Sequence, residues 1–577
     1  MKRSGGIEAV VPAWGWLRRY QRADLQGDLT AGLIVAVMLI PQGMAYALLA
    51  GLPAIYGLYA STVPAVVYAL FGTSRHMPVG PPALMALLTF AGVSTLAEPQ
   101  SEEFIELALL LAVMAGVIQV LLGVLRMGFV TNFVPHPVLA GFIAASVIVI
   151  TASQAKHMLG VDGGSGHSLV DAVDGIARNI EDTHTETVAF GVGSIVTLLL
   201  ARKLIPRVPG PLLVAVGATL VAYLTGSSDR GVDVVGEVPR GVPTLTPPPL
   251  DLDMMSALLP TALAVVLVGY IESFSVAKSI AAREKYKIDA NQEFRALGLA
   301  NVSAGLFSGF PVAGSFSRTA VNYQAGARTQ LACIITAVMI VVSLLFLTPL
   351  LFHMPISALA AIIIVSVFRL LDLDEIRHIF RIRRADGLIM VVTAVTTLFV
   401  GIMEGILLGA LFGLLAFLQR TVRPDVTELG YVPDSDAFLG LRSHPTARTD
   451  PRVVVLRFAA SLYYANVSFL EERLMQEVAD RPELEYIVID CRATNSIDVT
   501  ALDELEDLIA AYRAQGITVM LTHANLSVRE RVKRADWDVK FGPEIVGHPT
   551  TRTALAAVGL LAGMRAPHEV TDPAPGS

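Results

Sequence analysis

Fourteen apolar segments between Gly27 and Arg420 constrain the fold of this chain more than any other feature of its sequence. Their centres lie near residues 37, 62, 86, 114, 141, 195, 217, 267, 300, 319, 340, 362, 394 and 411. Many of them are long enough to cross a hydrocarbon core of about 30 Å. Over all 577 residues, 54% are hydrophobic and 16% are charged, which excludes an ordinary soluble protein. We therefore predict a polytopic α-helical membrane protein with fourteen transmembrane helices.

The basic residues between the segments indicate how the spans are oriented. Alternate connections are basic, at Arg75, Arg126, Arg202–Arg207, Lys278–Lys287, Arg328, Arg369–Arg384 and Arg420–Arg423. The opposite connections carry only Lys156, Arg178, Arg230 and Arg240. Cytoplasmic loops are enriched in Lys and Arg. The alternation therefore predicts a multi-pass protein of the cell inner membrane with both termini in the cytoplasm.

The charge density divides the chain into four parts. These are a cytoplasmic N-terminal segment (1–26), a membrane domain (27–423), a soluble domain (424–560) and a disordered C-terminal tail (561–577). Within the soluble domain, strands are predicted at Val453–Phe458, Tyr486–Asp490 and Thr518–Thr522, each followed by a helix. This alternation favours a mainly parallel sheet covered by helices. We expect the domain to serve in regulation or assembly, or to act as a stabilising cap.

Two of the apolar segments are interrupted by Pro and Gly. The third begins Pro78–Pro82, and the tenth region contains Gly309–Arg318. Unpaired backbone groups are tolerated in a bilayer only where they are buried or line a wet cavity. The two segments occupy the third position of each seven-span half, which is typical of an inverted-repeat transporter with a site near the midplane. The alternative is a pair of kinked packing helices.

The chemistry around these interruptions suits an anion. Free N–H groups and the helix dipole attract anions at a helix N-terminus, and such helices are expected after Pro82 and after Gly314. Ser315 and Ser317 add hydroxyl donors. Arg318 follows, and an Arg in an apolar segment is costly enough to suggest a function. Its alternative role is structural, pairing with backbone carbonyls or with an acid.

Glu272 is the other charged residue within an apolar run, Val265–Phe274. Desolvation raises the proton affinity of a buried carboxyl and a nearby cation lowers it, so Glu272 is a candidate for proton coupling. A neutral, hydrogen-bonded structural Glu is the alternative. Gln42 and Tyr46 are four residues apart and share a helix face. They either line the pocket or simply pack there.

The remaining polar residues give weaker indications. His136 is interpreted as an interfacial helix cap, and Glu293 and Arg295 as helix-end charges. The sequence shows no metal-ligand spacing, nucleotide-binding motif or catalytic constellation. We therefore expect no enzyme activity, no cofactor and no metal. A formal net charge of −7 argues against a nucleic-acid partner, and the expected partners are membrane lipid and a small inorganic anion.

Several ordered motifs resemble those of the SulP family of anion permeases. The first runs from Ile40 to Tyr46 and continues through Gly57–Tyr59 to Gly72–His76. Further matches are Tyr270–Ser273, Asn291–Glu293, Gly314–Thr319 and Gln330. The C-terminal region is similar to the STAS domain of sulfate transporters and anti-sigma-factor antagonists. The resemblance covers nearly the whole chain.

The resemblance implies two inverted seven-helix repeats, divided into core and gate subdomains, and a homodimer. In this family the anion binds between the third and tenth helix N-termini, beside the first and eighth helices. Motif positions place near the substrate Gln42, Tyr46, Pro82, Ala83, Ser315, Phe316, Ser317 and Arg318. Glu272 falls on the eighth helix, as the proton-coupling residue.

Two positions depart from common family patterns. Many relatives have Phe where this chain has Pro82, so an aromatic contact is missing. Sodium-coupled bicarbonate members tend to have Asp in place of Glu272 and a hydroxyl four residues later, where this chain has Val276. The motifs at Tyr270–Ser273 and Gly314–Arg318 instead resemble proton-coupled sulfate members.

The STAS resemblance also suggests a regulatory position. Ile497–Thr500 matches the loop where anti-sigma-factor antagonists are phosphorylated, with Thr500 at the acceptor position. The alternative is that Thr500 caps the helix Ala501–Arg513.

The function expected from residues and resemblance together is proton-coupled sulfate uptake by alternating access. The alternatives are dicarboxylate or bicarbonate transport, possibly coupled to sodium, and a sensor that has kept the transport fold and signals through the STAS domain. Glu272, Ser317 and Arg318 argue against the sensor, because a scaffold does not need costly charges inside a membrane.

Overall fold

The computed structural model describes residues 11–129, 135–161, 169–205 and 208–565. The chain forms two compact units, residues 1–413 and 414–577, each with a hydrophobic core of its own. The described residues of the N-terminal unit form helices and two short strands. The C-terminal unit is built on a five-stranded sheet.

Eighteen helices precede the sheet in the described ranges. They are α1 (Ala13–Arg18), α2 (Arg22–Leu49), α3 (Ile55–Tyr59), α4 (Val63–Phe71), α5 (Ala83–Val93), α6 (Glu102–Val124), α7 (His136–Leu159), α8 (Leu169–Arg178), α9 (Thr185–Leu204), α10 (Gly210–Thr225), α11 (Leu252–Arg283), α12 (Ala290–Leu306), α13 (Phe316–Gln324), α14 (Leu331–Phe346), α15 (Ile356–Phe368), α16 (Leu373–Ile382), α17 (Arg384–Phe399) and α18 (Ile402–Val422).

The fourteen predicted segments correspond to these helices. The second span is divided into α3 and α4, whose junction lies at the predicted centre, and α8 and α16 are short helices between spans. Seven helical stretches in the described ranges are long and apolar enough to cross a bilayer, and shorter apolar helices lie between them. The prediction of a polytopic helical membrane protein is confirmed.

Helix packing repeats itself between the two halves. The first span (α2) packs against the eleventh (α14), and the eighth span (α11) packs against the fourth (α6). Likewise α5 packs against α11, and α13 packs against α2. Spans seven places apart correspond to each other in the two halves. The contact of spans one and eleven therefore corresponds to that of eight and four, and the contact of three and eight to that of ten and one. This packing is that of two structurally related seven-helix repeats.

The most extensive helix pair of the membrane unit, α6 with α12, depends on small residues. A side chain at Gly298 would place its Cβ 2.6 Å from the carbonyl oxygen of Gly116 on the opposite helix. Two glycines therefore let the backbones approach closely, as is common between helices in membranes.

The two interrupted segments meet at a short antiparallel pair of strands, β1 (Val79–Gly80) and β2 (Ala313–Gly314). Val79 is opposite Gly314, and Gly80 is opposite Ala313. The pairing satisfies part of the backbone that the prolines and glycines leave without helical hydrogen bonds. All four residues are buried.

The soluble unit contains β3 (Val426–Val432), β4 (Ala437–Gly440), β5 (Val453–Phe458), β6 (Tyr486–Asp490) and β7 (Thr518–Thr522). Its helices are α19 (Val467–Asp480), α20 (Val499–Ala514), α21 (Leu526–Arg534), α22 (Trp537–Lys540), α23 (Glu544–Gly547), α24 (Thr551–Ala557) and α25 (Leu560–Arg565). The strand order is β4-β3-β5-β6-β7, with β5, β6 and β7 parallel. The three predicted strands have the observed bounds. The hairpin β3–β4 was not predicted.

Two boundaries differ from the sequence expectation. Helix α2 begins at Arg22 rather than near Gly27, because the Gln21 N–H donates to the Asp24 carboxylate at 3.2 Å and caps an earlier turn. The C-terminal tail was expected to be disordered from residue 561, but residues 561–565 belong to helix α25. Leu561 and Met564 are buried there in one cluster with Val455, Val488 and Met520 of the sheet, and residues 566–577 lie outside the described ranges.

Candidate functional site

The two half-helices that follow the crossing strands present their N-termini with no side-chain cap in the described structure. Pro82 occupies the N-cap of α5 and Ser315 that of α13, both with extended backbone. The first N–H groups of a helix have no partner within the helix. Here neither cap residue supplies a side-chain acceptor, so these donors remain available to an anion.

Arg318 holds the β1–β2 pair in place from within the buried core; we call this pair of strands the crossing. Its side chain is fully buried, and its guanidinium donates to the carbonyl oxygens of Pro81 at 2.8 Å, Gly80 at 3.0 Å and Ala313 at 3.3 Å. The structural role considered for Arg318, pairing with backbone carbonyls, is thus present. Its Nε is buried and has no hydrogen-bond partner among the described residues. Arg318 holds the strands together and places a positive charge beside both half-helix N-termini.

Helix α11 is joined to the crossing by Ser273. The Gly314 N–H donates to Ser273 Oγ at 2.8 Å, and the Ser273 hydroxyl donates to the Gly269 carbonyl oxygen at 2.6 Å. A cavity of about 340 Å³ lies next to this contact, lined by residues of α5, α7, α11, α13, the α15–α16 connection and α16. Glu272 and Phe316 line it, and the Phe316 side chain is 46% exposed.

The carboxyl of Glu272 is the acidic group of α11 in this cavity. Its Oε2 is buried and has no hydrogen-bond partner in the described part of the chain. Electrostatic interactions connect Glu272 with Arg318 and Tyr46. The alternative was a structural Glu that is hydrogen-bonded to a neighbouring helix. Among the described residues, no such hydrogen bond reaches Oε2.

Gln42 and Tyr46 are buried on α2 and face α15. The Gln42 amide donates to Ser366 Oγ at 3.5 Å, and the Tyr46 hydroxyl interacts with both Gln42 and Ser366. Gln42 Oε1 is buried without a partner among the described residues. Ser366 was not predicted, although a hydroxyl within the apolar run of the twelfth span was a visible signal.

The structure brings the predicted membrane-site residues together. Pro82 and Ala83 are buried at the start of α5, and Ser315 and Ser317 are half-buried at the start of α13. Gln42, Tyr46, Phe316, Arg318 and Glu272 complete the set. Nearby, His136 is the first residue of α7, and its Nε2 lies 3.0 Å from the Glu375 carboxylate.

Thr500 lies in the other unit, with an exposed side chain on the first turn of α20. The interpretation of Thr500 as the helix cap is wrong. Asp498 caps α20, because its Oδ1 accepts the Ala501 N–H at 2.8 Å and its Oδ2 accepts the Tyr464 N–H at 3.0 Å.

Glu293 lies in the first turn of α12, as predicted for a helix-end charge, but its burial was not predicted. Its carboxylate accepts hydrogen bonds from the Tyr68 hydroxyl at 2.7 Å and the Thr73 N–H at 2.6 Å. The Thr73 hydroxyl and the Ser74 N–H also donate to it. Glu293 thereby fixes the loop that leads into β1. The Gly72–His76 motif was a signal in the sequence, because the polar groups of Thr73 and Ser74 need a hydrogen-bond acceptor once they are buried.

Comparison with known proteins agrees with this architecture. Residues 25–393 match the sulfate permease family, and residues 444–554 match the STAS domain. The chain is 35% identical over 548 residues to a protein of Arabidopsis thaliana named probable sulfate transporter 4.2, covering 92% of this chain and 80% of the relative.

Two further comparisons cover most of the chain. A protein of Mycobacterium tuberculosis named a probable sulfate transporter is 33% identical over 545 residues, covering 94% of this chain and 96% of the relative. The solved structure of the murine anion transporter solute carrier 26 family member A9, in an inward-facing state, superposes with a TM-score of 0.88 at 23% identity. The superposition covers 97% of this chain and 96% of that one. The chain therefore belongs to the sulfate permease family, a family of multi-pass membrane transporters, and carries a STAS domain.

Proposed function

We propose that this protein takes up sulfate together with protons, by alternating access at the site between α5 and α13. The observation that carries the proposal is the Glu272 carboxyl, which lines the cavity beside the half-helix N-termini and has a buried, unpartnered oxygen in the described structure. A carboxyl in such surroundings is costly when charged and inexpensive when neutral. Its protonation is therefore sensitive to which side of the membrane the cavity faces.

The anion would be held by donors rather than by a full charge in direct contact. Two uncapped helix N-termini and the Ser315 and Ser317 hydroxyls supply N–H and O–H groups, while Arg318 is held by strand carbonyls and adds positive potential. Such a site attracts a divalent oxyanion without binding it so tightly that release fails.

Coupling to protons follows from the charges in this site. With Glu272 protonated, the positive potential of Arg318 is available to the anion. With Glu272 ionised, its carboxylate competes with the anion for that potential. A proton and the anion would thus bind together and leave together, which reduces the net charge moved across the membrane.

Two features speak against sodium as the coupling ion. A sodium site needs several oxygens, and Val276 supplies none where a hydroxyl would help. The Ser273 hydroxyl is already used, donating to Gly269 and accepting from Gly314. Two relatives named as probable sulfate transporters support sulfate as the anion.

The remaining parts of the proposal concern assembly and location. We place the protein in the cell inner membrane with both termini in the cytoplasm, because connections rich in Lys and Arg alternate with connections that contain few of them. We further propose a homodimer, and regulation through the STAS domain with Thr500 as a modification position, since its side chain is exposed.

The test is uptake by purified protein in liposomes, with labelled sulfate, bicarbonate and dicarboxylates under imposed proton or sodium gradients. We expect sulfate uptake that rises with an inward proton gradient and is unchanged by sodium. Preference for bicarbonate or a dicarboxylate, or dependence on sodium, would replace this proposal with the corresponding alternative.

A further inference from the structure

Arg369 lies at the C-terminal end of α15 and lines the cavity that also contains Glu272. It is the C-terminal cap of that helix and follows Ser366 by three residues, so the two side chains share a helix face. Ser366 accepts the hydrogen bond from Gln42 at the candidate site. Arg369 therefore lies about 4.5 Å further along the helix axis. We call the part of the cavity lined by Arg369, Asp372 and Glu375 its mouth, since the side chains of Arg369 and Asp372 are exposed.

The lining of the 340 Å³ cavity contains Arg369 together with Glu272 and Phe316. Two acidic residues of the mouth already have partners. Asp372 accepts the backbone N–H groups of Asp374 and Glu375 at 3.0 Å each, and the Glu375 carboxylate lies 3.0 Å from His136.

Arg369 itself has an exposed side chain, with no hydrogen bond or ion pair to any of the described residues. Arg369 interacts electrostatically first with the cation Arg202 of α9 and then with Tyr46. Tyr46 in turn interacts with Arg318. Tyr46 thus interacts with two cations, the buried Arg318 at the half-helices and the exposed Arg369 in the cavity lining.

We propose that Arg369 forms an outer subsite for the transported oxyanion, occupied between the mouth of the cavity and the half-helix site. This inference rests on the proposed function and adds a binding position to it. A cation in a cleft with apolar walls raises the local concentration of anions. Glu272 and Phe316, the first residue of α13, line the same cavity, so an anion held at Arg369 would already lie in the space beside that half-helix.

The experiment measures exchange of labelled sulfate across a concentration series in liposomes, which separates KM from kcat. Arg369→Gln removes the charge, and we expect KM to rise by about three- to tenfold because electrostatic focusing is lost. Arg369→Lys keeps the charge and should stay near the wild-type KM. Arg381→Gln is the matched control, since Arg381 belongs to the same basic cluster but does not line this cavity.

Two further measurements distinguish an outer anion subsite at Arg369 from a purely structural role of this residue. A structural defect would reduce kcat and the amount of active protein, whereas loss of an outer subsite raises KM with kcat within about twofold. The difference between wild type and Arg369→Gln should also shrink in high concentrations of a non-transported salt, because salt screens exposed charges.

The outcomes that overturn the subsite are specific. An unchanged KM in Arg369→Gln would overturn it and leave the proposed function intact. So would an equal rise in KM in Arg369→Lys or in Arg381→Gln. Wild-type protein that exchanges no sulfate would instead overturn the proposed function on which the subsite rests.

Discussion

Ser273 and Gly314 are joined by a hydrogen bond of 2.8 Å between the middle of α11 and the end of β2. The serine hydroxyl also donates to Gly269 at 2.6 Å, so its rotamer is fixed from both sides. This arrangement connects the helix that carries Glu272 to the strand that precedes Ser315. The proposed proton site and the proposed anion site are therefore joined directly by this hydrogen bond.

Replacing Ser273 by Ala should damage the site more than replacing Ser275 by Ala. Ser273→Ala leaves the buried Gly314 N–H without an acceptor, which costs about 1–3 kcal/mol. Ser275 is exposed and lines the cavity two residues away, which makes Ser275→Ala the control. Thermal unfolding in detergent measures the difference. Equal unfolding temperatures for the two variants would contradict the role given to Ser273.

The positions of the spans and of the strands in the soluble sheet were predictable from the sequence because both depend on local periodicity. Apolar runs set the spans, and the alternation of strands with helices set the parallel part of the sheet. The Pro and Gly residues of the third and tenth segments also indicated the crossing. The Pro and Gly residues did not predict the register of the β1–β2 pair, in which Val79 is opposite Gly314, because this register depends on the packing of the two halves.

The residues that were missed lie in contacts between distant segments. Glu293 was interpreted as a helix-end charge because it lies near the start of α12, yet its four hydrogen bonds come from Tyr68, Thr73 and Ser74. Ser366 is recognisable in the sequence as a hydroxyl within an apolar run, but it becomes part of the site only because α15 packs against α2. Local patterns contain no information on such pairings.

Ser317 and Arg318 should both determine anion affinity, in different ways. Ser317→Ala removes a hydroxyl donor and should weaken binding by about 0.5–2 kcal/mol. Arg318→Ala should weaken it more, because it removes the positive potential and leaves the carbonyls of Gly80 and Pro81 unpaired. Isothermal titration with sulfate measures both. Arg328→Ala, ten residues further on and exposed, is the control. Unchanged affinity in folded Ser317→Ala and Arg318→Ala would place the site elsewhere.

Glu293→Gln should destabilise the membrane unit. The amide replaces one acceptor oxygen with an NH₂ group that faces the donors of Tyr68, Thr73 and Ser74, at a cost of about 2–4 kcal/mol. The control is Glu284→Gln, since Glu284 is exposed and, among the described residues, accepts one hydrogen bond, from Tyr323. The melting temperature of each variant checks this expectation. A Glu293→Gln protein as stable as wild type would show that the carboxylate is not needed to fix the loop.

Removal of the STAS domain should leave anion binding intact and reduce flux or assembly. The proposed site lies wholly in residues of the N-terminal unit, and truncation after Arg423 keeps α18 complete to Val422. Sulfate affinity, transport rate and oligomeric mass are the quantities to compare. A folded truncation that binds no sulfate would contradict the separation of the two units.

Uptake by Glu272→Gln in liposomes tests the central claim most directly. Wild-type uptake should rise with an inward proton gradient and be unchanged by sodium. Glu272→Gln is permanently neutral, so it should still bind and exchange sulfate but no longer accumulate it when protons are supplied. Glu404→Gln, a half-buried carboxyl of α18 outside the cavity, is the control and should behave as wild type. Sodium-dependent uptake by the wild type, or proton-driven accumulation by Glu272→Gln, would contradict the account.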